Sequence, residues 1–338
     1  MGKKYRNLFD SIVDIDNLRS AYKKTVRGGN RYSSGHLIFK ENLEANLYVL
    51  QQQMIKETYN IGDYYTFKVY EPKVRDINSL PFRDRVVQHA INNVIEPIFD
   101  KTFYPTSYAC RKGKGTQKGV NKLQSKMRKM KRKTGTYFFL KMDFKKYFKS
   151  VYSKLLKSKI AKKITDNKSL RLIFKFICDQ GIMIGNLLSQ LFANIFGHIF
   201  DNFIKTKLRI KNYYRYMDDT VILHESKAYL RKIQRKLYTF MKVYMKIEFS
   251  YWMIQKAEIR FLDFLGYRIK STYKLLRKNS VTRAKRNIAR FIKLELFDGL
   301  RMFLASWIGY ATKADSYNLL KLLKWELEYA RFNYNTNG

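Results

Sequence analysis

Apolar and polar residues follow two different spacings along this chain, and the spacing changes several times. Helical spacing predicts helices over residues 1–60, over DRVVQHAINNVIEPIFDKTF at 84–103 and from about residue 280 onward. Short runs rich in β-branched and aromatic residues predict strands. These runs are TFKVYEPKVRDINSLPF at 66–82, a strand pair with a turn near Pro72, then TYFFLKMD at 136–143, NYYRYMDDTVIL at 212–223, two short strands around an acidic turn, and RFLDFLGYRI at 260–269, a strand pair or a single strand. Strands separated by long helical inserts favour an α+β fold over a doubly wound sheet.

The charge of the chain indicates an anionic partner. Among 338 residues, 68 are Lys or Arg and 27 are Asp or Glu, which gives a net charge of +41. A charge of this size exceeds what solubility needs and favours nucleic acid, with an anionic membrane surface as the second candidate. The 24 Phe and 26 Tyr residues suit base stacking as well as core packing.

Two further patterns limit the function classes. The two cysteines and four histidines form no zinc-binding pattern, and the low cysteine content predicts a cytoplasmic protein. The segment 180–200 has no formal charge, which makes it a candidate membrane span. Its Gln, Asn, Ser and His residues would be costly in hydrocarbon, so a buried helix is predicted and no membrane partner is expected.

Three acidic residues stand at the ends of predicted strands. Asp143 follows one apolar run, and Asp218 and Asp219 separate two others. A bare Asp-Asp pair is usually an ordinary hairpin turn. Here, adjacent carboxylates between strands, with a third at an upstream strand end, instead predict a site for two Mg²⁺ ions in phosphoryl transfer, because a divalent cation relieves their repulsion.

The segments around these acids resemble motifs of reverse transcriptases. YMDD at 216–219 resembles the catalytic hairpin, LKMDFKKYF at 140–148 the first catalytic motif, and FLGY at 264–267 the primer grip. The resemblance implies a right-hand polymerase, whose palm is an antiparallel sheet with helices. It further implies an N-terminal helical extension at 1–60, a fingers and palm core at 61–270 and a helical thumb at 271–338.

The resemblance also implies site residues. Asp143, the backbone carbonyl of Phe144, Asp218 and Asp219 would hold two Mg²⁺ ions, with Mn²⁺ as a substitute. Leu265 and Gly266 would form the primer grip.

Further residues are implied for binding the incoming dNTP. In the segment that resembles the fingers hairpin, Arg75 and Arg83 would clamp the triphosphate, with Lys73 in reserve, because an Arg fork suits phosphate oxygens. Alternatively, both Arg residues pair with neighbouring Asp residues. Lys256 would protonate the departing pyrophosphate.

Phe148 would be the aromatic steric gate that selects deoxyribose, since it lies five residues after Asp143. The alternative is that Phe148 is a core aromatic and that the neighbouring Tyr147 is the gate.

The segment GIMIGNLLSQLFANIF at 181–196 discriminates within the family. Ile184-Gly185 stand where most reverse transcriptases have Gln-Gly, whereas the rival register at Gln180-Gly181 lacks the expected Ser. The presence of Ile in place of Gln at this position resembles the reverse transcriptases of diversity-generating retroelements. The segments 107–120 and 306–317 also resemble that group. This predicts that Ile184 affects fidelity and that Gly185 lies with it at the dNTP.

The leading hypothesis is an RNA-directed DNA polymerase that makes error-prone, adenine-mutagenic cDNA from a template-repeat RNA. Its implied partners are template RNA, cDNA or primer, dNTPs and a small basic accessory protein in a ribonucleoprotein. One alternative is a phage-defence or retron-type reverse transcriptase with the same core. The other is a non-catalytic RNA-binding protein on a polymerase scaffold, which the three retained acids disfavour.

Overall fold

A computed structural model describes residues 3–27, 31–70 and 74–323 of the chain. The helices, in chain order, are α1 (Leu8–Val13), α2 (Ile15–Thr25), α3 (Ser34–Glu41), α4 (Leu43–Ile55), α5 (Phe82–Asp100), α6 (Thr116–Thr134), α7 (Tyr147–Ser150), α8 (Ser153–Ala161), α9 (Asn167–Lys175), α10 (Leu187–Asn202), α11 (Lys227–Thr239), α12 (Lys278–Lys293) and α13 (Phe297–Ala311). Single π-helical segments follow α10 at Phe203–Lys207 and α11 at Phe240–Met245. The strands are β1 (Tyr65–Val69), β2 (Arg75–Ser79), β3 (Phe138–Phe144), β4 (Tyr213–Tyr216), β5 (Asp219–His224), β6 (Phe249–Lys256), β7 (Leu262–Phe264), β8 (Tyr267–Ile269) and β9 (Lys274–Leu276).

The chain forms two compact units, and each is assembled from separate stretches of sequence. The first unit comprises Met1–Arg111, Asp143–Lys211 and Arg235–Tyr251, and the second comprises Lys112–Met142, Asn212–Gln234 and Trp252–Gly338. The predicted division at residues 60 and 270 is a functional one that these units do not test. It stays a prediction, and residues 324–338 of its last segment lie outside the described residues.

The first unit is built around α5. This helix packs against α1, α2, α3 and α10. Its apolar residues recur at helical spacing, so Val86, Val87, Ala90, Ile91 and Ile95 are fully buried. Burial of this stripe stabilises the unit through the hydrophobic effect.

The candidate membrane span at residues 180–200 contains most of α10. This helix belongs to the first unit, where Phe192, Phe196 and Phe200 are fully buried. No helix among the described residues is long and apolar enough to cross a membrane. The predicted buried helix is therefore confirmed.

A two-stranded hairpin extends from the helices of the first unit. β1 and β2 pair antiparallel with Tyr65 opposite Ser79 and Val69 opposite Arg75, which confirms the predicted strand pair. Every residue of β1 is exposed. The predicted turn near Pro72 falls on residues 71–73, which lie outside the described residues.

The second unit contains two antiparallel sheets. The larger has the strand order β4-β5-β3-β6 and the smaller the order β7-β8-β9. The central strands β3 and β5 are largely buried, and Leu140, Met142, Val221, Ile222 and Leu223 are fully buried. β3 leaves this unit after Met142, and β6 enters it at Trp252. Mixed helices and antiparallel strands confirm the α+β prediction.

Candidate active site

The two adjacent aspartates lie on a tight hairpin in the second unit. Tyr216 of β4 pairs with Asp219 of β5, so Met217 and Asp218 form a two-residue turn. Met217 has a φ of +54°, a left-handed conformation that is strained for a residue other than Gly. The turn leaves both carboxylates half-buried.

A buried arginine supports this turn through a hydrogen bond. Arg215 is fully buried, and its Nη1 donates a hydrogen bond of 3.2 Å to the carbonyl oxygen of Met217. A charged hydrogen bond to that carbonyl stabilises the left-handed residue and fixes the direction of the turn. Arg215 was not predicted as a site residue, because an Arg among 68 basic residues carries no signal of burial in the sequence.

A lysine of β3 binds one of the two aspartates. Lys141 pairs with Val221 across the sheet, so its side chain lies on the same face as Asp219, two residues before Val221. The ammonium of Lys141 donates to Oδ1 of Asp219. The Lys141 side chain is only 9% exposed and that of Asp219 is 20% exposed, so this ion pair is largely shielded from water. Lys141 was not predicted as a site residue either.

The third aspartate belongs to the first unit. Asp143 is half-buried, and the hydroxyl of Ser250 donates to its Oδ2 at 2.9 Å. The Phe144 ring is buried against the rings of Phe200 and Phe249, which anchors the backbone that follows Asp143. The Ser250 hydroxyl therefore orients the Asp143 carboxylate, and the packing of Phe144 fixes the adjacent backbone.

The carboxylate side chains of the three aspartates are of the type that magnesium prefers. Within 3–27, 31–70 and 74–323, no group of three or more His, Cys, Asp or Glu side chains is placed to hold a metal ion. Mg²⁺ is commonly bound by one or two carboxylates together with substrate phosphates and water. Carboxylate oxygens at Asp143, Asp218 and Asp219 are ligands of this hard type.

The two candidate gate aromatics differ in their surroundings. Tyr147 is 2% exposed, and its hydroxyl donates to the Ala193 carbonyl at 2.7 Å, which makes it a core residue. Phe148 is half-buried, and its carbonyl accepts from the backbone N–H of Ile182 at 2.9 Å. The ring of Phe148 is thus the more accessible of the two, although its role stays a prediction.

Ile184 and Gly185 contact the β1–β2 hairpin within the first unit. The backbone N–H of Asn78 in β2 donates to the Ile184 carbonyl at 2.9 Å. Gly185 has a φ of +109°, and a Cβ at this position would lie 2.8 Å from Cγ2 of Ile77 and 3.2 Å from the Asn78 carbonyl. Only glycine fits at position 185. Together with the hydrogen bond from Asn78, this close approach places Ile184, the predicted fidelity residue, against the hairpin.

Gly185→Ala is expected to destabilise the first unit by about 2–4 kcal/mol, combining a left-handed φ with overpacking against Ile77. Urea unfolding followed by circular dichroism measures the loss. The control is Gly115→Ala in the second unit, because Gly115 has a similar φ of +99° but nothing within 4 Å of its Cβ position, so this variant shows the cost of the left-handed backbone alone. Equal losses in both variants would show that contact with the hairpin contributes nothing.

The two arginines predicted to clamp the triphosphate have different environments. Arg75 is exposed at the start of β2, opposite Val69. Arg83 donates to the Asn60 carbonyl at 3.1 Å and forms an ion pair with Asp84 at 3.4 Å. These contacts support the alternative that Arg83 is a salt-bridge partner of Asp84. A role at the triphosphate stays a prediction for both Arg75 and Arg83. Lys73 lies outside the described residues.

The primer-grip segment forms a second tight hairpin in the second unit. Leu265 and Gly266, with φ of +53° and +89°, connect β7 to β8. The hydroxyl of Tyr310 in α13 donates to the Gly266 carbonyl at 2.9 Å. Burial raises the pKa of Tyr310, so this hydroxyl remains a donor at neutral pH.

Lys256 is exposed at the end of β6, also in the second unit. Asp143, Phe148, Ile184, Gly185 and the two arginines thus belong to the first unit. Asp218, Asp219, Lys256, Leu265 and Gly266 belong to the second.

Comparisons with known proteins assign the family. Residues 68–269, well over half of the chain, match the family model described as "Reverse transcriptase (RNA-dependent DNA polymerase)". Protein YkfC of Escherichia coli (strain K12) is 25% identical over 221 residues, which cover 60% of this chain and 58% of that protein. The chain thus spans less than two thirds of the length of this curated relative.

The fold also resembles a solved structure. Apo telomerase from Candida tropicalis, truncated from its C-terminal domain, superposes with a TM-score of 0.52 at 13% identity, covering 69% of this chain and 60% of that one. At this identity the likeness concerns the fold alone. The family match includes the YMDD hairpin and Asp143 of β3, and it confirms the predicted family: the chain belongs to the reverse transcriptase (RNA-dependent DNA polymerase) family.

Proposed function

We propose that this protein is an RNA-directed DNA polymerase that extends a primer on template RNA with dNTPs. The observation that carries the proposal is the tight Met217–Asp218 turn between antiparallel strands in a chain of the reverse transcriptase family. Adjacent carboxylates on such a turn repel each other unless cations neutralise them. Asp143, Asp218 and Asp219 would hold two Mg²⁺ ions, with Mn²⁺ as a substitute, and the Phe144 carbonyl would add an oxygen ligand.

The residues of the chain perform positioning roles in this reaction. When bound, the metal ions would stabilise charge on the attacking and leaving oxygens of the phosphoryl transfer. Arg215 fixes the turn that presents Asp218, and Ser250 orients the Asp143 carboxylate. Leu265 and Gly266 would hold the primer end, on a turn that Tyr310 stabilises.

We propose that nucleotide selection depends on residues of the first unit. Phe148 would exclude a 2′-hydroxyl, which its accessible ring supports. Arg75, Arg83 and Lys73 would bind the triphosphate, and Lys256 of the second unit would donate a proton to pyrophosphate. In this proposal residues 61–270 are the fingers and palm, and residues 271–338 the thumb.

The proposed biological role is mutagenic cDNA synthesis in a diversity-generating retroelement. Its support is the sequence Ile184-Gly185, together with the similar segments at 107–120 and 306–317. Ile184 offers no hydrogen bond from its side chain to the nascent pair, which costs about 0.5–1.5 kcal/mol in discrimination. The charge of +41 supports a ribonucleoprotein with a structured RNA, and a small basic accessory protein is proposed with it.

Primer extension on RNA tests the polymerase proposal. Purified protein, a DNA primer annealed to RNA, dNTPs and Mg²⁺ should yield cDNA, and EDTA should abolish it. RNA binding without any extension, across RNA and DNA primers and with Mn²⁺ as well as Mg²⁺, would instead support a non-catalytic RNA-binding protein.

Ile184→Gln is expected to lower misincorporation opposite template adenine by up to roughly tenfold, because the amide restores a pocket hydrogen bond. Sequencing of cDNA made on one RNA template measures errors at all four bases. Ile184→Val is the control, since it stays apolar and β-branched and should keep the wild-type spectrum. An active Ile184→Gln enzyme with unchanged adenine errors would remove Ile184 from the fidelity mechanism. Wild-type errors spread evenly over the bases would favour a phage-defence or retron-type enzyme.

A further inference from the structure

One lysine in the candidate active site has no role in the mechanism proposed above. Lys141 lies in the middle of β3, where the neighbouring side chains of Phe139, Leu140 and Met142 are apolar and buried. Lysine is rarely buried unless it is paired, because its ammonium loses hydration. The position of Lys141 therefore requires a specific anionic partner.

That partner is one of the proposed metal ligands. Lys141 and Asp219 share one face of the antiparallel sheet, and the ammonium donates to Oδ1 of Asp219. An ammonium on this oxygen is a monovalent cation at an atom that a divalent cation would bind. It also neutralises the turn in which Asp218 and Asp219 repel each other.

The same lysine contacts the second tight hairpin of its unit. The Lys141 ammonium lies 5.2 Å from the ring centroid of Phe264, which is fully buried at the end of β7. A cation over an aromatic face is attracted by the ring electrons, and the attraction is stronger where water is excluded. Phe264 directly precedes the Leu265–Gly266 turn. Lys141 is thus held between the acidic hairpin and the primer-grip hairpin.

We propose, on the basis of the metal-dependent function proposed above, that Lys141 is a positioning residue that serves as the resident cation of Asp219. In the metal-free protein it holds the Asp219 carboxylate in place and compensates its charge. During metal loading, the ammonium competes for the same oxygen and repels the incoming dication. Lys141 therefore lowers the affinity of the free enzyme for divalent ions and reserves tight binding for the complex with nucleotide phosphates.

Two opposite effects are expected when the ammonium is removed. Lys141→Met keeps the length and the apolar stem of the side chain, so it isolates the charge. Without metal, the variant loses the partner of a shielded carboxylate and should melt several degrees below wild type. With metal, its affinity for Mn²⁺ should rise by about tenfold, because the competing charge is gone. Lys227→Met, at an exposed site in the same unit, should change neither property.

The first measurement is a double-mutant cycle of melting temperatures in EDTA. It uses wild type, Lys141→Met, Asp219→Asn and the double variant, so it needs no bound metal. The proposal expects the double variant to melt well above the additive value, since the two side chains stabilise each other. Additive losses would overturn the pairing. If Lys141→Met does not fold, Lys141→Gln replaces it in both measurements.

The second measurement is a titration with Mn²⁺, in which electron paramagnetic resonance reports the free ion. Wild-type binding that Asp219→Asn weakens, together with about tenfold tighter binding by Lys141→Met, supports the proposal. If Asp219→Asn weakens binding but Lys141→Met leaves it unchanged, Lys141 has no such role and the metal site stands. If no variant binds Mn²⁺, with or without dNTP, the metal-dependent function itself is wrong.

Discussion

Asp218→Asn is expected to reduce Mg²⁺-dependent dNTP incorporation by at least roughly 10²–10³-fold, while binding of RNA changes little. The substitution preserves the shape of a residue in the Met217–Asp218 turn but removes the negative charge that would bind a cation. The carboxylate is half-buried, so its charge acts in a medium where water compensates less. Single-turnover primer extension measures the rate, and filter binding measures the affinity for RNA.

The control for this experiment is another aspartate of the same unit. Asp263 lies in β7 with a side chain that is 57% exposed, in an ion pair with Arg277 at 3.6 Å. Asp263→Asn makes the same chemical change and should leave incorporation within a few-fold of wild type. Incorporation by Asp218→Asn at a tenth of the wild-type rate or more would exclude Asp218 as a metal ligand.

Arg215→Met is expected to lower the free energy of unfolding by about 2–4 kcal/mol and to reduce incorporation as well. Arg215 is fully buried and donates to the Met217 carbonyl, so its loss leaves that acceptor without this charged hydrogen bond and leaves unfilled volume. Urea unfolding monitored by fluorescence gives the stability. Extension assays in the absence of urea test whether the turn still presents Asp218.

An exposed arginine of the same unit separates charge from burial in this test. Arg231→Met, on the exposed side of α11, should stay within about 0.5 kcal/mol of wild type. Arg215→Lys keeps the charge but not the planar donor group, and should fall between wild type and Arg215→Met. A stable Arg215→Met protein with full activity would show that the strained turn needs no support from this side chain.

The hairpins around the candidate site were predicted from sequence because local chemistry determines them. YMDD places a two-residue turn between short runs of aromatic and β-branched residues, and this turn forms as predicted. RFLDFLGYRI was predicted as a strand pair or a single strand, and the structure shows the pair. The β1–β2 pair was predicted by the same pattern. In each case the signal is contained within about a dozen residues, so no knowledge of distant contacts is needed.

Other elements lack such a local signal. β6 is an edge strand, and its exposure pattern shows no alternation of buried and exposed residues, which removes the period of two that would identify it. α11 is amphipathic but rich in Lys and Arg, and no helix was predicted for these residues from the sequence. The two compact units were also not predictable, because each combines three distant stretches of the chain.

The candidate site was predictable in its acids but not in the residues that support them. Acidic residues are few in this very basic chain, and Asp143, Asp218 and Asp219 stand out because they lie beside apolar runs. Lys141 and Arg215 are basic residues in that same chain, so composition assigns them to the surface. Only the strand register places Lys141 beside Asp219, and only burial shows that Arg215 supports the turn. Register and burial arise from tertiary packing, which the spacing of residue types does not report.

The interleaving of the two units has a consequence for how the protein is made at the ribosome. Because the first unit includes Arg235–Tyr251, it cannot be complete until residue 251 has been synthesised. The second unit begins at Lys112 but also includes residues that follow Tyr251. The helices α1, α2 and α3 can pack on α5 early, but the α5 surface that contacts α10 stays uncovered until residues 187–202 have been made, so chaperones have time to bind it. Slow, late folding dominated by distant contacts is the expected outcome for newly synthesised chains.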